Sequence, residues 1–297
     1  MLRRPDGAEL YWEASGRPDG IPALYLHGGP GGSLGKGGYR RRFDPDRFLI
    51  IGLDQRGCGR STPRAADAPI EGNTTRALIA DVDALRKHLG IDRWLLHGVS
   101  WGSTLALAVA LAHPEQVLGI VLMAVTTGSR EEIDWITRDI GRVFPEAWER
   151  FAAVARPGER VVDAYVRLLS DADLQVRRAA AESWCLWEST HISLDPRFVA
   201  GVRALEYDET FARLVSWYWA NDCFLLGEDR ILSRAHSLEG IPGVLIHGRR
   251  DISGPTDTAW RLHRAWPGSR LEIVEDEGHG GPRMLELATE AIARLSH

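Results

Sequence analysis

The stretch Trp94-Leu95-Leu96-His97-Gly98-Val99-Ser100-Trp101-Gly102-Ser103-Thr104 decides how this chain is read. Its first half is a short apolar run, and its second half opens a segment of small residues, 104–112, of helical character. Between them Gly98-x-Ser100-x-Gly102 strips the flanking side chains from a strand-to-helix turn, so that Ser100 can adopt a strained backbone and present its hydroxyl. A bare G-x-S-x-G arises by chance. One seated between a buried strand and a helix reads as a nucleophile rather than as a turn serine. The helix start behind it also turns the amide of Trp101 toward any negative charge developing on an oxygen bound to Ser100.

Outward from this turn the same strand character recurs at 9–13, 23–26, 48–53, 119–125, 243–247 and 271–274, each run closed by glycine or polar residues. Leu78, Ile79, Val82, Leu85 and Leu89 recur at helical spacing behind the capping residues Asn73-Thr74-Thr75, and Gly90 closes that helix. Strands alternating with helices predict an α/β protein with a mostly parallel sheet and helices on both faces. Residues 128–236 break the alternation with mixed helical sequence holding six of the eleven tryptophans: Trp135, Trp148, Trp184, Trp187, Trp217 and Trp219. The expectation is a core of 1–127 and 237–297 with an inserted helical cap, 128–236, whose tryptophans pack its interior and together roof an apolar pocket.

A serine at its ordinary pKa is a poor nucleophile and needs a base, which in turn needs an acid to orient it. Both follow late runs in the order this arrangement uses: Asp251 after 243–247 and His279 after 271–274. Asp257 and Asp276 compete for the place of the acid. An unperturbed imidazole at 279 would set the acidic limit of activity at about pH 6, close to where a free histidine titrates. The glycine-rich loop 27–32 lacks the Gly-Lys-Ser/Thr ending of a phosphate cradle, and following a buried strand it suits a second oxyanion donor, the amide of Gly29.

Composition narrows the classes further. With 297 residues, 44% hydrophobic and 26% charged, the chain is neither disordered nor fibrous. Its 36 basic and 41 acidic residues give a net charge of -5, and no basic run exceeds Arg40-Arg41-Arg42, which argues against a nucleic-acid partner. No apolar stretch approaches membrane-spanning length, the first residues lack a secretory pattern, and three scattered cysteines make no disulfide framework or zinc cluster, so the expectation is a cytoplasmic protein without membrane contact or a bound metal.

HGGPGG at 27–32, DQRGCGRS at 54–61, NTT at 73–75, SWGSTLAL at 100–107 followed by His113-Pro114-Glu115, and the late GRRD and EGHG segments together resemble the prolyl aminopeptidases, also called proline iminopeptidases. The likeness spans the core in order, roughly two thirds of the chain, and is looser in the cap. It implies an α/β-hydrolase fold and a cofactor-free serine peptidase that takes N-terminal proline, or another small aminoacyl residue, from small peptides or amides through an acyl-enzyme. It also implies cap glutamates that hold the substrate's amino group. One belongs to a W-x-x-W-E pattern, matched by Trp184, Trp187 and Glu188; the other belongs to A-R-I-E-N-H-Y-F, where this chain reads Ala212-Arg213-Leu214-Val215-Ser216-Trp217-Tyr218-Trp219 and places Val215 at the glutamate. Val99 before the serine, and Gly280, Gly281 and Arg283 after the histidine, depart from the family in the same direction. Glu206, Asp208 and Glu209 are nearby acids that could compensate. The alternative is an esterase or amidase of the same fold acting on a small metabolite.

Overall fold

A computed structural model of the chain describes residues 1–192, 194 and 205–295, with the side chains of residues 205–208 and 229 excepted. Two short strands, β1 (Leu2–Arg3) and β2 (Glu9–Leu10), form an antiparallel ribbon. The chain then builds β3 (Trp12–Gly16), β4 (Ile21–Leu26), β5 (Phe48–Leu53), helix α1 (Thr75–His88), β6 (Trp94–Val99), α2 (Trp101–Ala112) and β7 (Val117–Met123). Helices α3 (Arg130–Thr137), α4 (Pro145–Ala152), α5 (Val161–Leu169), α6 (Leu174–His191), α7 (Leu205–Ala220) and α8 (Ile231–Arg234) follow. The strand pattern then returns with β8 (Gly243–Gly248), α9 (Thr256–Ala265), β9 (Arg270–Val274) and α10 (Pro282–Arg294).

Seven strands make one sheet in the order β3-β5-β4-β6-β7-β8-β9, and every pair is parallel except β3 with β5. Both faces are covered, so neighbouring residues of one strand enter different cores. Leu96 packs with Leu24, Leu122 and the α1–α2 side, while Leu95 packs with Ile50, Val121, Ile246 and α10. After β4 the chain moves outward to β5 and then crosses back to β6 on the other flank of β4. The carboxyl ends of β4 and β6 therefore diverge from a crevice, the place where sheets of this kind seat ligands.

Two runs differ from their reading in the sequence for local reasons. The run at 9–13 splits, because the Tyr11 amide donates to Ser61 Oγ at 2.9 Å instead of joining a strand ladder. The run at 119–125 is β7 shifted two residues earlier, since Ala124 takes a left-handed φ of 51° and ends the pairing at Met123. Helix α1 begins as its sequence requires, with Thr74 Oγ1 accepting the Ala77 amide at 3.2 Å.

Helices α3 to α7 enclose a third apolar cluster containing Phe151, Tyr165, Trp184, Trp187, Phe211 and Val215. Phe151 stacks on Trp187 with centroids 5.0 Å apart, and Tyr165 meets Trp184 edge-on at 5.0 Å. The aromatic residues of this region thus make a core of their own above the carboxyl edge of the sheet.

At the β6–α2 turn the sequence motif is a matter of space. A Cβ on Gly102 would overlap the carbonyl oxygen of Leu26, and one on Gly98 would overlap that of Gly102, so β4, β6 and α2 approach at backbone distance. Gly102→Ala is expected to lower unfolding free energy by at least about 2 kcal/mol, whereas Gly72→Ala, where nothing lies within 4 Å, should be nearly neutral. Denaturant midpoints of the two variants check this; equal losses would remove the steric argument.

Candidate active site

Ser100 sits at the turn with φ 55° and ψ -126°, a conformation an L-residue holds only when its surroundings impose it. Three bonds impose it here. The Ser100 amide donates to the Met123 carbonyl at 2.9 Å, and the Ser100 carbonyl accepts the Ser103 amide at 2.7 Å and Thr126 Oγ1 at 2.9 Å.

β8 leads into Asp251 and β9 into His279. His279 Nδ1–H donates to Asp251 Oδ2 at 2.7 Å, which leaves Nε2 to accept the Ser100 hydroxyl at 2.9 Å. Of the three acids that the sequence offers, Asp251 faces the imidazole; Asp257 lies in the first turn of α9. Asp251 is 4% exposed, and its other oxygen accepts the Gly254 amide at 3.0 Å. Below it, His247 receives the Val125 amide on Nδ1 at 3.0 Å and donates from Nε2 to the Gly254 carbonyl at 2.6 Å, so the turn that carries Asp251 is pinned to the end of β7.

The electrostatics follow from these contacts. Burial works against the cationic form of His279, but the charge and hydrogen bond of Asp251, helped by the charge of Glu188, outweigh it and raise its pKa above 6.5. Burial likewise opposes ionisation of Asp251, and the charge and hydrogen bond of His279 overcome it, holding the carboxyl below its usual range. The acidic limit that an unperturbed imidazole would set at about pH 6 therefore moves upward.

Trp101 and Gly29 line the same cavity as Ser100 and His279. The Trp101 amide is the first of α2, where no intrahelical acceptor exists. Gly29 takes φ 123°, open only to glycine without strain, and the Gly32 amide bonds back to Gly28 at 3.2 Å to curl the loop. A network that sequence reasoning did not assign ties the Trp101 side chain to the start of the glycine loop. Trp101 Nε1–H donates to Gln55 Oε1 at 2.9 Å, and Gln55 Nε2–H donates to the His27 carbonyl at 2.9 Å. The Gln55 amide also donates to His27 Nε2 at 3.1 Å. Gln55 stands within the DQRGCGRS segment, so the motif was visible while its task was not.

The cavity is also lined by Ile133, Ile136, Ile192 and Trp219, and its polar side chains include Glu132, Glu188, His191, Ser253, Thr104 and Thr126. Of the six tryptophans expected to roof it, only Trp219 lines it; Trp184 and Trp187 are fully buried in the third cluster. Val215 is also fully buried there and does not line the cavity. Among the acids that could compensate, Glu209 is paired with Arg177 at 2.7 Å, while the side chains of Glu206 and Asp208 lie outside the described residues. Glu132 is held by Thr127 and Ser129 as part of the capping box of α3. Helix α3 also grips the turn that carries Asp251, since Trp135 Nε1–H donates to the Ile252 carbonyl at 2.8 Å. Among the described residues no cluster of three or more His, Cys, Asp or Glu could hold a metal ion, and no helix is long and apolar enough to cross a membrane.

A sequence profile of the alpha/beta hydrolase fold matches residues 22–281. The chain is 47% identical to a probable proline iminopeptidase of Streptomyces coelicolor, over 99% of this chain and 94% of that one. It is 43% identical to a proline iminopeptidase of Xylella fastidiosa, over 94% of this chain and 90% of that one. Among solved structures, the proline iminopeptidase of Mycobacterium smegmatis superposes with a TM-score of 0.65 at 18% identity over 97% of this chain and 96% of that one. An esterase from Exiguobacterium antarcticum gives 0.62 at 19% identity over 99% and 98%. At such identities the superpositions speak for the fold alone.

If Asp251 and Glu188 both raise the imidazole pKa, an NMR titration of His279 should give a midpoint above 6.5, and Glu188→Gln should move it down. A midpoint at or below 6.5 that ignores Glu188→Gln would refute this electrostatic picture.

Proposed function

The chain belongs to the proline iminopeptidases of the alpha/beta hydrolase fold, hydrolases that release N-terminal proline, and from that membership we propose that Ser100, His279 and Asp251 carry the reaction in it. The observation that supports this most is the unbroken chain Ser100 Oγ–His279–Asp251, with bonds of 2.9 and 2.7 Å, opening into a cavity that also holds Glu188.

In this reading Ser100 Oγ attacks the carbonyl of the first residue while His279 Nε2 takes its proton. The oxyanion that forms is received by the amides of Trp101 and Gly29, fixed in advance and therefore needing no reorganisation during the reaction. His279 then returns the proton to the departing amine, leaving an acyl-enzyme that water, activated by the same imidazole, resolves. Asp251 keeps Nδ1 protonated and steadies the imidazolium. Glu188 binds the ammonium group of the substrate; its side chain is 13% exposed, so the pairing takes place largely out of water. The cap, 128–236, closes over this machinery from a core of 1–127 and 237–297. Three buried cysteines, none in a disulfide, suit a cytoplasmic setting.

Ser100→Ala should cut turnover of proline p-nitroanilide by at least about a thousandfold with an unchanged melting temperature, and should abolish labelling by a fluorophosphonate. Substantial residual turnover in a folded variant would sink the assignment of Ser100. The wild type should also strongly prefer proline p-nitroanilide to its N-acetylated form. Equal rates would indicate an esterase or amidase that ignores the amine, the reading toward which the burial of Val215 leans.

A further inference from the structure

His191 closes helix α6 and is 1% exposed. Its Nδ1–H donates to Ser253 Oγ at 2.9 Å, and the Ser253 hydroxyl donates back to the His191 carbonyl at 2.9 Å, so the proton of the neutral ring is assigned to Nδ1. Nε2 is left as an acceptor without a hydrogen-bond partner among the described residues. Glu188 Oε2 lies 3.8 Å from it, one helical turn earlier, and both residues line the cavity of Ser100. A buried acceptor left unmade costs about 1–3 kcal/mol, which a bound donor would recover.

Resting on the reading that this enzyme takes N-terminal proline, we propose that His191 Nε2 is the second acceptor for the substrate's amino group, forming with Glu188 a seat for two N–H bonds. The number matters chemically. A protonated N-terminal proline is a secondary ammonium with two N–H bonds, one for the carboxylate and one for the imidazole nitrogen; a primary ammonium brings a third that this pair leaves unmet. Nε2 is sealed from water here, so the incoming cation must displace the side chains over it before the bond can form. Burial drives the His191 pKa down, to about 3, and the nearby His279 adds to this, so the ring is neutral and its lone pair available at working pH. Other polar side chains of the cavity have partners of their own: Glu132 has Thr127 and Ser129, Thr104 and Thr126 have each other, and Ser253 has His191 itself. Position 215 supplies nothing, since Val215 is packed in the apolar cluster of the cap. His191 therefore restores from the end of α6 what a valine has removed from α7.

The competing account is that His191 only clamps the cap to the turn that carries Asp251. Two substitutions separate the accounts, because asparagine reproduces the Nδ1 donor of histidine and glutamine reaches its Nε2 position. The probes are proline p-nitroanilide and the p-nitroanilide of cyclopentanecarboxylic acid, which has the same ring without the nitrogen. His191→Asn should raise KM for the prolyl substrate roughly ten- to a hundredfold, change kcat by less than about twofold and leave kcat/KM on the carbocycle nearly intact; His191→Gln should recover most of the prolyl KM. The preference for prolyl over alanyl p-nitroanilide should narrow in His191→Asn. An unchanged prolyl KM, or equal losses on both ring substrates, would overturn the proposal, and a loss of activity in His191→Gln with none in His191→Asn would assign the clamp alone. A wild type that hydrolyses the prolyl and carbocyclic substrates equally would instead overturn the underlying assignment of an amine-reading peptidase.

Discussion

Between the last residue of β6 and the first of α2 the chain changes direction within one residue, and the site is arranged around the room that this takes. Ser100 holds φ 55°, and the carbonyls of Leu26 and Gly102 stand where side chains at 102 and 98 would otherwise be. The strain at one residue is sustained by the close packing of three elements, β4, β6 and α2, and by the bonds from Met123 and Thr126. The same closeness brings the loop after β4 over the serine, so that Gly29 and Trp101 line one cavity with it. The strained serine and the neighbouring glycine loop are thus consequences of a single backbone constraint, and the crossover from β5 to β6 supplies the crevice in which they sit.

Histidine at five places shows how partners, rather than burial, decide charge. His27, His97, His191 and His247 are all buried, and burial lowers the pKa of each, with His97 and His191 brought to about 3. His279 meets the same burial, yet its pKa rises, because an ionised carboxylate bonds to it at 2.7 Å. His247 lies only 3.7 Å from that carboxylate, but its two nitrogens serve Val125 and Gly254, so it remains a neutral strut. Hydrogen-bond geometry separates the imidazole that gains charge from the one that stays neutral where proximity alone would not.

The helical layer above the sheet has a core of its own, and its contacts with the sheet converge on the site. Trp135 holds the Ile252 carbonyl and His191 the Ser253 hydroxyl, next to Asp251, while Leu214 and Phe211 of α7 would meet any side chain at Gly31 in the glycine loop. Tyr218 and Trp217 bind Asn73 in front of α1. A shift of this layer would therefore be felt at the acid and at the glycine loop together.

What could be read from residues alone is what local sterics and periodicity dictate. The elbow at Gly98-x-Ser100-x-Gly102, the strand runs, the cap of α1 and the order of serine, acid and histidine all belong to short segments whose backbone preferences are their own. Boundaries slipped where a single residue departed, as at Tyr11 and Ala124. The tryptophans were legible as apolar mass but not individually as roof or interior, and in the sequence only its place after a strand sets Asp251 ahead of Asp257 and Asp276, because the partners of each depend on neighbours far along the chain. Ser100 and His279 stand 179 residues apart when they share a hydrogen bond, and no local pattern encodes that meeting. The tasks of Gln55 and His247, the engagement of Glu209 with Arg177, and the lone pair of His191 beside Glu188 were settled only by the tertiary structure, since a side chain's partners are fixed by the packing of whole elements and by the hydrogen bonds that burial then obliges it to make.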